Sequence, residues 1–104
     1  MPLTPPYYAV IFISTLGEDT AGYAEMAERM LELARLQPGF LGIESAREET
    51  GITVSFWEDL ESIRQWRDQS EHRIAQELGQ SKWYRSYELH IARVERYKRF
   101  PDRY

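Results

Sequence analysis

One histidine and three tryptophans lie between residues 52 and 84, and they are the side chains best suited to chemistry. The spacing of the surrounding apolar residues predicts that His72 occupies the first turn of a short helix. A charged imidazole there opposes the helix dipole, so a neutral ring is expected at pH 7. A neutral imidazole can take the proton of a phenolic substrate as a general base. A surface histidine without a catalytic role fits the same position equally well.

The tryptophans, Trp57, Trp66 and Trp83, allow two interpretations. Large aromatic side chains usually pack in cores and interfaces, because each buries 150–250 Å². Alternatively, they line a pocket between sheet and helices in which a flat aromatic ligand stacks. On the second interpretation, Tyr84 and Phe12 complete the lining of the pocket.

The sequence shows no pattern for thiolate chemistry, for a metal site or for an acid–base dyad. The chain has no cysteine, which excludes thiolate nucleophiles and cysteine-ligated zinc. His72 and His90 are 18 positions apart on different elements, so no metal site is predicted. His90 is interpreted as structural or interfacial, because no acid–base partner is evident near it. Glu71 points to a different side of the helix from His72, so the two form no dyad.

Composition and charge narrow the function classes further. The net charge of −4 does not favour a nucleic-acid partner, since phosphate binding needs a basic face. No apolar run approaches the roughly 20 residues of a membrane span, and no signal-peptide pattern opens the chain. We therefore expect a cytoplasmic protein with a single domain over residues 1–104, a core over about 7–97 and a polar tail over 98–104.

The pattern of apolar residues predicts four strands and three helices. β-branched and aromatic runs predict strands, over residues 7–14, 40–48, 52–57 and 87–94. A hairpin joins the second and third strands, with Gly51 predicted at a positive φ. The first helix follows a cap at Asp19 or Thr20 and ends near residue 36. Asp59 caps a second helix and Gly79 ends a third. Their buried positions are predicted to be Leu60, Ile63, Trp66, Ile74, Ala75 and Leu78.

The order βαββααβ predicts an α+β, ferredoxin-like fold, with helices on one face of a four-stranded antiparallel sheet. Residues 7–14 are apolar on both faces of their strand, so both faces need cover. The helices cover one face and no segment remains for the other. A second copy of the chain is the simplest cover, which predicts a homodimer with its sheets face to face, a dimeric α+β barrel.

Several short motifs in one order resemble the antibiotic biosynthesis monooxygenase (ABM) family. They are a PGFLG turn, a strand ending in FW, the following Trp66, the pair Glu71–His72, and WY before a final strand ending in IARVER. The resemblance covers roughly residues 7–97. It implies a ferredoxin-like subunit that forms a dimeric α+β barrel, in agreement with the apolar pattern of the first strand.

The resemblance also implies candidate functions. Some family members oxygenate polycyclic phenols without metal or flavin, and one branch degrades haem. Trp66 matches a pocket tryptophan of both groups. Both groups also use an asparagine, and this chain has none. Gln76 stands where the haem branch has its iron-binding histidine, which argues against haem degradation. The implied activity is a monooxygenase without cofactor, acting on a small aromatic or quinol with His72 as base. The alternative is a non-catalytic dimeric module that binds a small hydrophobic ligand.

Overall fold

The computed structural model describes residues 3–101, apart from the side chain of Ser70. Within this range four strands and three helices follow the predicted order. The elements are β1 (Tyr7–Leu16), α1 (Tyr23–Arg35), β2 (Phe40–Arg47), β3 (Gly51–Trp57), α2 (Leu60–Asp68), α3 (Ser70–Leu78), a π-helical turn (Gly79–Trp83) and β4 (Tyr84–Val94).

The strands form one antiparallel sheet in the order β2-β3-β1-β4. β1 lies in the middle and pairs with β3 on one side and β4 on the other. This topology confirms the predicted α+β, ferredoxin-like fold. The central position of β1 also explains why its sequence is apolar on both faces.

The strand register shows which residues share a face of the sheet, because directly paired residues point the same way. Trp57 pairs with Tyr8 and is fully buried under α2, so this pair marks the face that the helices cover. No helix among the described residues covers the opposite face. We call it the open face; its apolar residues are Tyr7, Ala9, Ile11, Ile13, Ala46, Ile52, Val54, Phe56, Ala92 and Val94.

The segment after β4 shields only one end of the open face. Tyr97 packs edge-on against Tyr7 with ring centroids 6.5 Å apart, and Tyr7 is buried. At the other end, Ile52 is 46% exposed. The polar tail predicted over 98–104 falls partly outside the described residues, at 102–104. No described helix has the length and apolar character needed to cross a bilayer.

Two helix boundaries follow their predicted signals and one does not. The carboxylate of Asp59 accepts a hydrogen bond of 2.8 Å from the Ser62 amide, so it caps α2 as expected. α3 ends before Gly79, also as expected. The cap predicted for α1 at Asp19 or Thr20 is wrong: α1 begins after Gly22, whose φ of 83° suits glycine. Asp19 instead accepts a hydrogen bond from the Ala21 amide.

The burial predicted for two helix residues is wrong, and so is one glycine conformation. Leu60 is 53% exposed and Ile74 is 52% exposed. α3 packs on α1, α2 and the π-helical turn, so its apolar residues meet helices more than the sheet. Gly51 lies in β3 without a positive φ. The physical need for glycine there is space, since a Cβ at Gly51 would lie 2.2 Å from Cζ of Arg47.

Candidate functional site

Trp57 and Trp66 form the base of the candidate site. Trp57 ends β3, and its indole N–H donates to Oγ of Ser55 at 2.9 Å, which fixes the ring on the helix-covered face. The cap at Asp59 starts α2 two residues later, and Trp66 lies on the turn of α2 that reaches back over Trp57. The two indoles stack with centroids 6.2 Å apart and planes inclined by 25°.

His72 continues this stack beyond Trp66. Its imidazole lies nearly parallel to the Trp66 indole, with centroids 4.2 Å apart and an interplanar angle of 11°. The bend between α2 and α3 makes this contact possible. Gln69 is extended there, and its side chain caps α3 by accepting the His72 amide at 2.8 Å. The structure therefore brings together Trp57, Trp66 and His72, and we call these three the His72 cluster.

The backbone of Trp66 determines which imidazole nitrogen carries the proton. Nδ1 of His72 lies 2.9 Å from the Trp66 carbonyl oxygen. A carbonyl only accepts hydrogen bonds, so the neutral ring must carry its proton on Nδ1 and a lone pair on Nε2. The Gln76 amide nitrogen is 3.3 Å from Nδ1, but it donates to the Arg67 carbonyl at 3.3 Å. Gln76 therefore leaves this tautomer unchanged.

The surroundings also keep the imidazole of His72 neutral. Burial lowers the pKa of His72 below its ordinary value, and the hydrogen bond to Trp66 opposes this only in part. The direction agrees with the sequence-based expectation, although burial is the larger cause. Within residues 3–101, Nε2 has no hydrogen-bond partner and is not among the fully buried polar atoms. A neutral acceptor is thus accessible at the end of an aromatic stack.

The neighbours of His72 have separate roles. Glu71 forms a two-pronged ion pair with Arg29 of α1, with both N–O distances at 3.0 Å. The carboxylate of Glu71 is therefore engaged by Arg29. The ion pair instead ties α3 to α1, and so contributes to holding His72 over Trp66. The indole N–H of Trp66 has no acceptor among the described residues, which leaves a free donor in the same aromatic stack.

The other predicted lining residues lie in a second group, toward the opposite end of β1. Phe12 meets Tyr84 edge-on at 5.3 Å, Tyr84 meets Tyr23 at 5.7 Å, and Tyr23 meets Trp83 at 5.6 Å. Tyr87 also packs on Phe12 at 5.3 Å. We call these five residues the tyrosine cluster. Its rings share the helix-covered face with the His72 cluster but do not contact it directly.

An uncovered apolar row connects the two clusters. On β4 the residues that pair with β1 on the helix-covered face are Tyr87, Leu89, Ile91 and, at the end, the charged Arg93. Leu89 and Ile91 are 53% and 50% exposed, since α3 does not extend over β4. Together with Val10 and Phe12 of β1 they form the floor of what we call the β4 groove. From Tyr8 to Phe12 this floor runs for about 13 Å, at 3.3 Å per residue.

The site is an open groove in a single chain. Two surface recesses lie elsewhere, one at the β2–β3 hairpin beside Arg47 and the other between Leu3 and Phe40. Neither includes His72 or Trp66. The His72 cluster differs from these recesses because it combines a free acceptor and a free donor with an aromatic stack.

The sequence did not predict the polar contacts of Arg47 and His90. The side chain of Arg47 extends from β2 across Gly51 and contacts Ser14 of β1 and Tyr23 of α1. No local sequence pattern predicts these contacts. For His90, the expectation of no nearby acid–base partner is wrong. Its Nε2 lies 3.2 Å from a carboxylate oxygen of Glu88, two residues earlier on the same face of β4.

The described residues around the site do not form a metal centre. Among residues 3–101, no three histidine, aspartate or glutamate side chains gather closely enough to hold an ion. The donors of the His72 cluster are one imidazole and one indole, and an indole N–H does not ligate metals.

Comparisons with known proteins agree with this fold. Residues 6–78 match the family described as antibiotic biosynthesis monooxygenase. YqjZ of Bacillus subtilis (strain 168), an uncharacterized protein, is 52% identical over 100 residues, which cover 94% of this chain and 88% of YqjZ.

Two solved structures are similar in fold at low sequence identity. SnoaB, a cofactor-independent oxygenase from Streptomyces nogalater, is 15% identical with a TM-score of 0.74, covering 94% of this chain and all of SnoaB. A conserved protein from Methanosarcina mazei Go1 is 14% identical with a TM-score of 0.76, covering 86% of this chain and 94% of the other. The family match extends over most of the chain, so the chain belongs to the antibiotic biosynthesis monooxygenase family.

Proposed function

We propose that this protein is a cofactor-independent monooxygenase that acts on a small electron-rich aromatic, such as a hydroquinone. The observation that carries the proposal is the hydrogen bond from Nδ1 of His72 to the Trp66 carbonyl. It leaves Nε2 as a neutral base next to a flat aromatic surface. A general base must have this form before it can accept a proton.

Each residue of the His72 cluster has a defined part in this proposal. Nε2 of His72 accepts the phenolic proton of the substrate. Trp66, backed by Trp57, stacks on the imidazole of His72 and so holds Nε2 in a fixed orientation toward the substrate. The indole N–H of Trp66 donates to a substrate oxygen as negative charge develops on it.

The reaction balances without an external reductant. Removal of the phenolic proton gives a phenolate, which transfers one electron to O₂ and becomes a ring radical. The radical and superoxide then combine to form a C–O bond. Loss of water from the resulting peroxide gives a hydroxyquinone, so that hydroquinone plus O₂ yields hydroxyquinone plus H₂O. The substrate supplies all four electrons, and the protein supplies a base and orientation.

The comparisons support the proposal at the level of the family. The chain belongs to a family named for monooxygenases, and SnoaB, which resembles it in fold, is a cofactor-independent oxygenase. At 15% identity this likeness concerns the fold. The assignment to this chain therefore depends on His72 and Trp66.

We also propose that the working form is a homodimer, joined through the open face. Ile11 and Val54 are paired at its centre, and the exposed Ile52 lies at its edge. Soluble monomers rarely leave more than a few hundred Å² of contiguous apolar surface uncovered. Two such sheets in contact would bury on the order of 2,000 Å² or more, which is typical of obligate homodimers. The second copy also closes the barrel that the fold leaves half complete.

One observation favours a second candidate, a dimeric module that binds a small hydrophobic ligand without chemistry. The β4 groove is open along Leu89 and Ile91, whereas radical intermediates need protection from water. A binding module needs no such protection. The two candidates share the site and differ in whether O₂ is consumed.

Oxygen uptake separates the two candidates. The purified dimer, treated with chelator, is mixed with a panel of hydroquinones and anthrones in an oxygen electrode. The monooxygenase proposal predicts uptake of one O₂ per substrate for at least one compound, above the rate in buffer. Binding of the same compounds without uptake would instead favour the binding module.

A further inference from the structure

Arg47 is a half-buried cation that no carboxylate neutralises among residues 3–101. One guanidinium nitrogen donates to Oγ of Ser14 and the other to the Ser14 carbonyl at 3.4 Å. The guanidinium also lies 5.7 Å from the centre of the Tyr23 ring. These contacts fix its direction but use neutral partners only. Part of its five-donor fork is therefore left without a protein acceptor.

The position of Arg47 depends on a glycine beneath it. A Cβ on Gly51 would lie 2.2 Å from Cζ of Arg47, so any larger residue there would push the guanidinium out of its present position. Gly51 thus lets Arg47 cross β3 to Ser14 and turn toward Tyr23 on the helix-covered face.

Two tyrosine hydroxyls extend this polar group toward the β4 groove. The Tyr23 hydroxyl is 3.5 Å from the Arg47 guanidinium and 3.5 Å from the Tyr84 hydroxyl. Both distances are long for hydrogen bonds that involve a hydroxyl, so the three groups converge without satisfying one another. Burial raises the pKa of Tyr84, which keeps its phenol protonated and able to donate.

The ring of Tyr84 packs closely against its neighbours. A Cβ on Gly79 would lie 2.8 Å from that ring, so glycine is needed for its position. Phe12 and Tyr87 pack around it at 5.3 Å and 5.9 Å. The donors therefore adjoin aromatic and apolar surface that continues into the β4 groove.

We propose that Arg47, Tyr23 and Tyr84 form a subsite for a carboxylate borne on an aromatic ring. The planar guanidinium matches a carboxylate in geometry and charge. The ring of the ligand lies on Phe12 and Tyr87, at the mouth of the β4 groove.

The charge around the subsite selects a monoanion. Arg47 is its one cation, and Glu48 and Glu49 follow directly on the exposed hairpin. A phosphate dianion would meet one positive charge and two nearby negative ones, whereas a carboxylate needs only one partner. The proposed substrate class is thus an aromatic carboxylic acid. This inference deepens the proposed function and rests on it only in treating the ligand as the substrate.

A matched ligand pair tests the subsite independently of turnover. We would measure the binding of 2-naphthoate and 2-naphthamide by calorimetry at pH 7.5, in the absence of any oxidisable substrate. The two compounds share their shape and differ in charge. We expect 2-naphthoate to bind at least about tenfold more tightly, as a charged hydrogen bond to a partly buried group implies. Equal affinities in the wild-type protein would overturn the proposal without any variant.

Variants then locate the preference. Arg47→Gln should reduce it to within about twofold, whereas Arg35→Gln, which removes the same charge from an exposed site on α1, should retain it. Tyr84→Phe removes only a hydroxyl and should weaken 2-naphthoate more than 2-naphthamide; it serves if Arg47→Gln fails to fold. A carboxylate preference that persists in both Arg47→Gln and Tyr84→Phe would contradict the assignment. A confirmed preference without oxygen uptake would leave the subsite intact and remove the oxygenase.

Discussion

The imidazole of His72 and the indole of Trp66 lie face to face, 4.2 Å apart, while the carbonyl of Trp66 holds Nδ1 of the same imidazole. One residue thus fixes both the orientation and the tautomer of the other. This arrangement needs the sharp bend at Gln69, since a continuous helix would carry His72 away from Trp66. The candidate base is therefore a property of the α2–α3 junction more than of α3 alone.

The first prediction concerns the loss of this base. His72→Gln should lower the rate of oxygen uptake by about 10²-fold, the scale expected for a general base. Arg73→Ala provides the matched control, because Arg73 is the next residue on α3 and is exposed. Equal rates for His72→Gln and the wild-type protein, with circular dichroism confirming the fold of both, would remove His72 from the mechanism.

The pH dependence of stability provides a second prediction. Burial lowers the pKa of His72 in the folded state, so the unfolded chain binds more protons in the window below about 6.5. The free energy of unfolding should therefore fall as the pH decreases from 7 through that window. His72→Gln should flatten this slope, because it removes the imidazole whose pKa burial lowers. Urea unfolding at several pH values measures the difference; parallel curves would show that His72 titrates normally.

A third prediction concerns the glycine under Arg47. Gly51→Ala should displace the flexible guanidinium from Ser14 and destabilise the fold by about 0.5–1.5 kcal/mol, the usual contribution of a hydrogen bond. Gly42→Ala in the neighbouring strand is the control, since its nearest side-chain atom would be 3.9 Å away, an ordinary contact. Urea unfolding of both variants provides the comparison. If the two substitutions cost the same, the space argument for Gly51 fails.

The proposed dimer gives a fourth prediction. Because folding and association are then coupled, the thermal midpoint should rise with protein concentration. Val54→Lys places a charge at the centre of the open face and should yield a monomer with a lower midpoint. Leu36→Lys changes an exposed apolar residue outside the sheet and should leave the dimer intact. Sedimentation of a compact wild-type monomer at low micromolar concentration would contradict the open-face interface.

Much of the fold could be predicted from the sequence, because its signals are local. Alternation and β-branched residues indicate the strands, and the Asp59 cap and the break before His72 fix the helix boundaries. The incorrect predictions concern features that depend on tertiary packing. Ile74 is exposed since α3 rests on other helices, and α1 starts late because Gly22 adopts a left-handed turn.

The candidate site could be predicted only in part. His72 and Trp66 could be selected by residue type, but their stacking depends on a bend whose angle no sequence pattern specifies. Arg47 was missed for a related reason. Its partners, Ser14 and Tyr23, come from other elements and are brought near by the strand register and by α1. Residue types are local information, whereas convergence depends on tertiary structure.

Isotope labelling during turnover is the most direct test of oxygenation by the His72 cluster. The chelator-treated protein is supplied with ¹⁸O₂ and the hydroquinone or anthrone that gives the fastest oxygen uptake, and the product is analysed by mass spectrometry. If the His72 cluster oxygenates the substrate, each product molecule should contain one ¹⁸O atom. The rate of incorporation should be about 10²-fold lower in His72→Gln. Product without ¹⁸O, or incorporation at the same rate in His72→Gln, would contradict oxygenation by the His72 cluster.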